Sequence, residues 1–561
     1  MPTGAELFVD AAQRLGMSEI FTLVGDHLNE VLRVAARRGV RIIDFRHESG
    51  VTHAADAWAR LKRKPALALV TGGPGHTNAL TGIAAAKLIA SPLIVVSGSR
   101  PRAMAERQAF QDLDQLNMVK PIVKWAAEPP SAAQIPFYLS RARAEALSGR
   151  MGPVYLNIPA DTFLEVVEAP LRLPLPQPRQ ACWPDSRLVE TALMMLKSSL
   201  QPVVIAGSGV WWADARAELH AFVEKTRLPI YTIGMARGVI SDEHPQCFGY
   251  ADPALNKAVR NVFREADLFL VLGKRIDYRL AFGGPRLFSP EAKFIQVDIH
   301  PPELGMNRDL DLGICADVKS TLAAMLEEMG DETWPELPWL EQLRQFRQQW
   351  ESELLHIAED STLPIHPAAF YAEFKKLVPS EALFSWDGAD FGHWGRAIIP
   401  ARKPGGWLRL GPLGAIGSAL PNSIALQLAN PGKPVVLFTG DGSFGFYLSE
   451  LDTMVRHSLP VVIIIGNDAA WGLERELQKA FHPSECPVAC ELRPTRYDVI
   501  MKGFGGEGEN IHRREEIGPA LQRAFSSRVP YLLNVHIRGA RSPFTDWQIS
   551  GKKKNRSVRG A

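Results

Sequence analysis

Residues 434–471, PVVLFTGDGSFGFYLSELDTMVRHSLPVVIIIGNDAAW, leave the chain little choice of fold. An apolar run at 435–438 leads into Gly440-Asp441-Gly442. Leu448, Leu451 and Val455 then recur at helical spacing, and a second apolar run at 461–465 ends at Gly466-Asn467. Apolar strand, helix, apolar strand is a βαβ unit, whose two strands are parallel neighbours joined by a right-handed crossover. Asp441 and Asn467 then stand at the carboxyl ends of adjacent strands, the edge at which open α/β sheets bind ligands. A carboxylate, an amide oxygen and glycine-exposed backbone there suit a hard cation such as Mg²⁺, with phosphate oxygens completing its shell.

The same alternation divides the rest of the chain. Residues 1–168 hold strand-length apolar runs at 20–24, 40–45, 66–71, 93–97 and 154–158. Three of them end in the turns Gly25-Asp26-His27, Arg46-His47-Glu48-Ser49 and Gly72-Gly73-Pro74-Gly75. Residues 169–184, APLRLPLPQPRQACWP, are proline-rich and aperiodic, and read as a linker. Residues 185–330 restart the pattern, with runs at 202–206, 268–272 and 294–298 that end at Gly207-Ser208-Gly209, Gly273-Lys274-Arg275 and Asp298-Ile299-His300. Glycine turns in that place suit nucleotide phosphates or close-packed backbone, and both readings stand. A second linker, 331–365, contains a polar helix from Trp339 to about Ala358. Residues 366–540 form a third domain around the opening motif, and 541–561 a basic C-terminal tail. The expected architecture is three doubly wound, parallel-sheet α/β domains.

Composition narrows the partners. A net charge of +2 makes no general case for nucleic-acid binding, but the charge is uneven. From Arg538 onward seven Lys/Arg face one acid, so the tail carries +6 and the remainder −4. Five scattered cysteines point to a reducing compartment without a disulfide framework, and Cys486-Pro-Val-Ala-Cys490 lacks a second pair and reads as structural. The start, MPTGAELFVDAAQRLG, has no signal pattern, and no apolar run reaches the length of a membrane span; the cytoplasm is the expected location.

GDG followed at this distance by an asparagine, between two apolar strands, resembles the metal and cofactor motif of thiamine diphosphate enzymes. That family carries a pair of asparagines where this chain has Gly466-Asn467. The resemblance implies thiamine diphosphate and Mg²⁺ as cofactors. Asp441, Asn467 and the carbonyl of Ala469 would be the metal ligands, and Gly440, Gly442, Ser443 and Phe444 would line the diphosphate. Arg46-His47-Glu48-Ser49-Gly50 before an alanine-rich helix resembles the segment with the family's activating glutamate. Glu48 would then hydrogen-bond N1′ of the aminopyrimidine and promote loss of the weakly acidic thiazolium C2 proton. Gly73-Pro74-Gly75 resembles the turn that approaches the pyrimidine. Gly388, Asp390 and Phe391 fall in a diphosphate-side loop, and Ile416 in GPLGAIG would wedge between the cofactor rings. Gln111 would face the substrate, and His27 would handle a substrate hydroxyl proton. The middle domain of the family binds FAD, ADP or the ADP part of coenzyme A, or is empty; Arg275, Asp298 and Asp317 fall where relatives contact a nucleotide. Glu48 and the metal motif lie on different domains, which in the family meet across a subunit interface. A homodimer or homotetramer is therefore expected.

Within the family, FTLVGDHLNE, GNDAAWG and VDIHPPELGMNR look closest to 2-hydroxyacyl-CoA lyases. Acetolactate synthases carry a selecting tryptophan near the place of Leu477. Lys552, Lys553, Lys554 and Arg556 would meet the phosphates of coenzyme A if the tail closes on the substrate, and would otherwise be a solvated basic tail. The reading that follows is cleavage of a 2-hydroxyacyl-CoA to formyl-CoA and an aldehyde or ketone, with the reverse condensation. Two alternatives stay open: a carboligase or decarboxylase acting on free 2-keto acids, and a non-catalytic cofactor-binding module.

Overall fold

A computed structural model describes residues 1–168 and 181–559, with side chains only as far as 551. Most of the first expected linker, and the tail side chains Lys552, Lys553, Lys554 and Arg556, lie outside the described residues.

Among the described residues, eighteen strands form three six-stranded sheets, every pairing parallel. The first sheet holds β1 (Glu19–Thr22), β2 (Arg41–Asp44), β3 (Ala66–Val70), β4 (Leu93–Ser99), β5 (Ala126–Ala127) and β6 (Val154–Pro159), ordered β2-β1-β3-β4-β6-β5. The second holds β7 (Pro202–Ala206), β8 (Ile230–Thr232), β9 (Cys247–Tyr250), β10 (Leu268–Leu272), β11 (Lys293–Asp298) and β12 (Leu312–Cys315), ordered β12-β11-β10-β7-β8-β9. The third holds β13 (Leu383–Trp386), β14 (Trp407–Arg409), β15 (Val435–Gly440), β16 (Val462–Asn467), β17 (Glu507–Ile511) and β18 (Tyr531–His536), ordered β14-β13-β15-β16-β18-β17. Three parallel sheets flanked by helices are the architecture expected above.

Counted from each domain's own first strand, the first and third sheets have the same order. The turn after β3, Gly72 to Gly75, therefore corresponds to the turn after β15, Gly440 to Ser443. This is an internal repeat of topology. It puts one glycine-rich turn in each domain at the equivalent strand end.

Helices on both faces bury the inner strands: every residue of β3, β4, β10 and β15 is buried, which is why they read as unbroken apolar runs. The strands without a clear apolar run in the sequence are mostly sheet edges (β5, β9, β12, β14 and β17), together with the three-residue β8. An edge strand keeps one side in solvent, as the mixed burial of Leu312–Cys315 and Glu507–Ile511 shows, so it has no continuous apolar signature.

The helix Trp339–Ala358 stands where the sequence placed it, and it joins two cores. Its first half gives Trp339, Leu340 and Leu343 to the central domain, and its second half gives Trp350, Leu354 and Ala358 to the C-terminal domain. The tail is not separate from the body: it begins the helix Pro543–Arg559, whose Thr545 is fully buried. Among the described residues no helix is long and apolar enough to cross a membrane.

Candidate active site

At the carboxyl ends of β15 and β16 lies a cleft of about 790 Å³, lined by Asp390, Ile416, Asp441, Asp468, Trp471 and Glu474 among others. Gly440 pairs with Gly466 in the sheet, so the two motif turns are adjacent as the βαβ reading requires. Asp441 is 2% exposed, and its Oδ2 is buried with no hydrogen-bond partner. Burial, with repulsion from Asp468, pushes its carboxyl up to about 7, although the backbone N–H groups of Asp441, Gly442 and Ala470 oppose the shift. Burial pushes Asp468 up to about 6, against Arg475, whose guanidinium is 2.8 Å away. Asp390 is also raised by burial, and its Oδ2 too is buried without a partner. Two buried carboxyls that each keep an orphaned oxygen, with the half-buried Asp468 beside them, form a site that a divalent cation satisfies.

Asn467 is buried at the end of β16. Its amide nitrogen donates to Thr495 O (3.1 Å) and Asn534 Oδ1 (3.0 Å), which fixes the side chain, and its Oδ1 accepts Ala469 N–H at 3.1 Å. The oxygens of Asp441 and Asn467 are donor types that Mg²⁺ takes, and of the two Asp441 lines the cleft while Asn467 stands next to the cleft-lining Gly466. The expected third ligand is differently engaged. Ala469 takes a left-handed φ of 52°, and its carbonyl accepts Leu492 N–H at 2.7 Å. Asp468, which the motif spacing does not mark, is the residue here that lines the cleft.

The expected diphosphate residues divide. Gly442 packs flat on Trp471, where a Cβ would fall 2.7 Å from the ring. Ser443 lines the cleft, whereas the Phe444 ring is 1% exposed and packs edge-on against Tyr497, with centroids 5.4 Å apart. The Phe444 side chain thus belongs to the core, because helix Asp441–Phe444 turns it inward. Gly388 N–H donates to Asp387 Oδ1 at 2.7 Å, and Ile416 lies over Gly388. Asp387, which opens the Gly388 loop, is buried: it accepts Gly417 N–H (3.0 Å) and the Thr439 hydroxyl of β15 (3.2 Å), and burial lifts it to about 6. Phe391 touches the cleft but also packs against Tyr371, centroids 5.0 Å apart. Asp390 Oδ1 accepts Ser542 N–H (2.9 Å) and the Thr545 hydroxyl (2.6 Å), and so ties the C-terminal helix to the cleft.

A second group assembles around the turn after β3. Glu48, 7% exposed, is the first residue of helix Glu48–Lys62, and Asn78 Nδ2 donates to its Oε2 at 3.0 Å. A Cβ on Gly75 would fall 3.3 Å from Glu48 Oε1, so the turn and the glutamate are in contact. Gly73 has a φ of +60°, with Gln111 lying against it. His27 Nδ1 accepts Gly72 N–H (3.3 Å) and lies 2.8 Å from the Thr71 hydroxyl, which leaves Nε2 carrying the proton; burial holds the imidazole below its usual value. The fold brings Glu48, His27, Gln111 and Gly73-Pro74-Gly75 together. What holds the turn was not foreseen: Gln115, 2% exposed, accepts Gly73 N–H at 2.7 Å and donates to Gly98 O and Asn157 Oδ1. Nothing in its local sequence marks it. Glu48 does not line the C-terminal cleft of its own chain.

The central domain has a larger cleft, about 1220 Å³, lined by Arg275, Asp298 and Asp317 as well as Lys274, Asp277 and Arg279. All three expected residues reach it, each with a structural tie. Arg275 donates to Leu88 O (2.9 Å), Asp298 accepts His300 N–H (2.9 Å), and Asp317 caps helix Val318–Met329. The glycine turns here are close-packed, since a Cβ on Gly209 would fall 2.5 Å from Gly273 Cα. Between the central and C-terminal domains runs a basic seam. Arg286 lies 3.7 Å from the Trp547 ring and Arg260 4.7 Å, while Phe544 stacks on His393 at 4.0 Å.

Comparison with known proteins agrees with this layout. Three family models match in order: the thiamine pyrophosphate enzyme N-terminal TPP binding domain over residues 2–118, the central domain over 189–325 and the C-terminal TPP binding domain over 387–535. The large subunit of acetolactate synthase from Mycobacterium tuberculosis is 34% identical over 526 residues, 93% of each chain. Oxalyl-CoA decarboxylase from Escherichia coli is 30% identical over 550 residues, 96% of this chain and 95% of that one. Human 2-hydroxyacyl-CoA lyase 1 is 28% identical over 560 residues, 95% and 94%. With a relative 34% identical along nearly its whole length, and each matched region falling on one of its three sheets, the chain belongs to the thiamine pyrophosphate enzymes.

Proposed function

We propose that the chain is a carbon–carbon lyase that cleaves a 2-hydroxyacyl-CoA to formyl-CoA and an aldehyde or ketone, and joins them in reverse. The observation that carries this reading is the seam beneath the C-terminal helix. Asp390, at the cleft, anchors the start of the helix, and Arg260 and Arg286 lie against Trp547 about one turn further on. Both arginines are engaged with the helix here, and a phosphate-bearing substrate offers them a partner that a small keto acid does not. Leu477, 8% exposed in the helix Gly472–Phe481 beside the cleft, supports it by standing near the place of the tryptophan that selects keto acids in acetolactate synthases.

When bound, thiamine diphosphate supplies the carbon nucleophile and the electron sink for breaking the C1–C2 bond. Asp441 and Asn467 would hold its diphosphate through Mg²⁺. Glu48 would be the carboxylate facing the aminopyrimidine N1′ and exchanging a proton with it. His27, with its proton on Nε2, is placed for the hydroxyl proton that the substrate loses as the carbonyl product forms, and C1 regains a proton in formyl-CoA. That Glu48 does not line its own chain's cleft supports a site shared between two chains, in a homodimer or homotetramer working in the cytoplasm. The central cleft, with basic and acidic groups at strand ends, suits ADP or another nucleotide.

The 34% identity to an acetolactate synthase favours a second reading, a carboligase or decarboxylase of free 2-keto acids. One experiment separates the two: incubate holoenzyme with a panel of 2-hydroxyacyl-CoAs and 2-keto acids and assay formyl-CoA. Formyl-CoA from a thioester supports the lyase. Turnover of keto acids alone, without coenzyme A, replaces it with the second reading. In either case Glu48→Gln should lower kcat by about 10²–10⁴-fold.

A further inference from the structure

The turn that carries Glu48 is gripped from the C-terminal domain. Glu450, 0% exposed, lies on helix Glu450–Arg456, which follows the Asp441 turn in the chain. Its Oε1 accepts His47 N–H at 3.1 Å and Arg46 N–H at 3.2 Å, and its Oε2 accepts Arg46 N–H at 3.2 Å and the Thr453 hydroxyl at 2.6 Å. The same helix holds the end of β2. Arg456 pairs with the Asp44 carboxylate and donates to its carbonyl at 3.1 Å, and His457, just beyond the helix, meets Asp44 Oδ1 at 3.0 Å. On the far side of Glu48, the Ser49 hydroxyl is 2.7 Å from the Tyr447 hydroxyl.

The contact leaves no slack. A Cβ on Gly50 would fall 2.6 Å from Glu450 Oε1. The glycine two residues after Glu48 is therefore the space that lets the carboxylate in. Arg46 and His47 have no other partner for these two N–H groups among the described contacts.

We propose that Glu450 is a positioning residue for Glu48. It fixes the Arg46-His47 backbone, and so the angle at which helix Glu48–Lys62 presents its first side chain. This rests on Glu48 being the group that acts on the cofactor, as proposed above. Glu450 touches no reacting atom. Its effect is geometric, and misplacing a catalytic group by about 1 Å costs on the order of 100-fold in rate.

The test uses full-length wild type, Glu450→Gln and Gly50→Ala. In apo protein at pH 8, amide hydrogen exchange at residues 46 and 47 should quicken in both variants, because a glutamine presents one acceptor where the carboxylate presents two and a Cβ at residue 50 pushes the carboxylate away. In the loaded proteins, C2–H/D exchange of bound thiamine diphosphate should slow by on the order of 100-fold per cofactor bound, with cofactor affinity within about threefold of wild type. Counting per bound cofactor removes any loss of folded protein. Unchanged exchange at the two amides overturns the proposal. So does wild-type C2 exchange in the variants. A wild type that itself shows no C2 exchange overturns the role of Glu48, a result distinct from a normal wild type with unaffected variants.

Discussion

The ring of Phe391 occupies the space that a side chain at Gly466 would need: a Cβ there would fall 2.3 Å from Phe391 Cγ. The missing first asparagine of the motif is thus the other half of an aromatic packing choice. Phe391 packs with Phe370 and Tyr371, centroids 5.6 and 5.0 Å away, in the C-terminal core. Restoring the common pattern with Gly466→Asn should therefore destabilise the domain by about 1–3 kcal/mol, the usual range for overpacking. Phe391→Ala should relieve the clash while leaving a cavity of its own. Chemical denaturation of the two single variants and the double variant gives the coupling, expected to favour the double by about 1 kcal/mol or more over additivity.

Asp441 makes the apo protein less stable than its fold permits. Its Oδ2 is buried without a partner, and a buried unsatisfied acceptor costs about 1–3 kcal/mol, more when charged. Asp441→Asn should raise the apparent Tm of the apo protein by a few degrees. Adding Mg²⁺ with thiamine diphosphate should stabilise wild type, since a ligand that binds only the folded state stabilises it, and should leave the variant almost unmoved. Thermal scans of both proteins with and without the cofactor pair, and after chelation, measure this. An apo variant less stable than wild type would count against a site built for a cation.

What was legible beforehand follows a physical division. Inner strands announce themselves because both of their faces are covered, as in Val435–Gly440, and strand-end chemistry such as Asp441, Asn467 and Glu48 sits at fixed offsets from them. Side chains that act across sequence distance leave no such mark. Gln115 reaches back to Gly73, and Glu450 reaches the turn at residues 46–47 some 400 positions away, each chosen by packing alone. The topological repeat of the first and third sheets was also hidden, because it lies in strand order and not in residue type. Phe444 shows what a motif match does not carry: the residue falls in the turn after β15, but helical geometry turns its side chain into the core.

The C-terminal helix should matter for one class of substrate only. Trp547 is stacked between Arg260 and Arg286, and burial lowers the pKa of Arg260 to about 10 and also lowers that of Arg286. Cation–π contacts of this kind contribute about 0.5–2 kcal/mol each. Trp547→Ala should loosen the helix and raise KM for an acyl-CoA by roughly tenfold, with kcat much less affected. Turnover of any free 2-keto acid the enzyme accepts should not change. Equal losses on both substrate classes would place the helix in the fold's stability and not in substrate recognition.

Glu450 also makes the stability of the fold depend on pH. Burial pushes its carboxyl up to about 7 from an ordinary 4.5, against donors from Thr453, Arg46 and His47 and the charge of Arg456; Tyr447, Asp452 and His457 are the other titratable groups on the same segment, with Asp44 facing them. The folded state therefore holds a proton that the unfolded chain releases between about pH 4.5 and 7. Stability from this group is fully present below pH 4.5, falls as pH rises through about 7, and is flat above that. Glu450→Gln, neutral throughout, lacks this slope. The stability of wild type relative to the variant should thus decline by about 3 kcal/mol between pH 4.5 and 8, because a tenfold change in a protonation equilibrium is worth roughly 1.4 kcal/mol. Urea denaturation of both proteins across that range measures the difference, in which the other titrating groups largely cancel. A wild type that gains on the variant as pH rises would mean that the backbone donors hold Glu450 ionised in the fold.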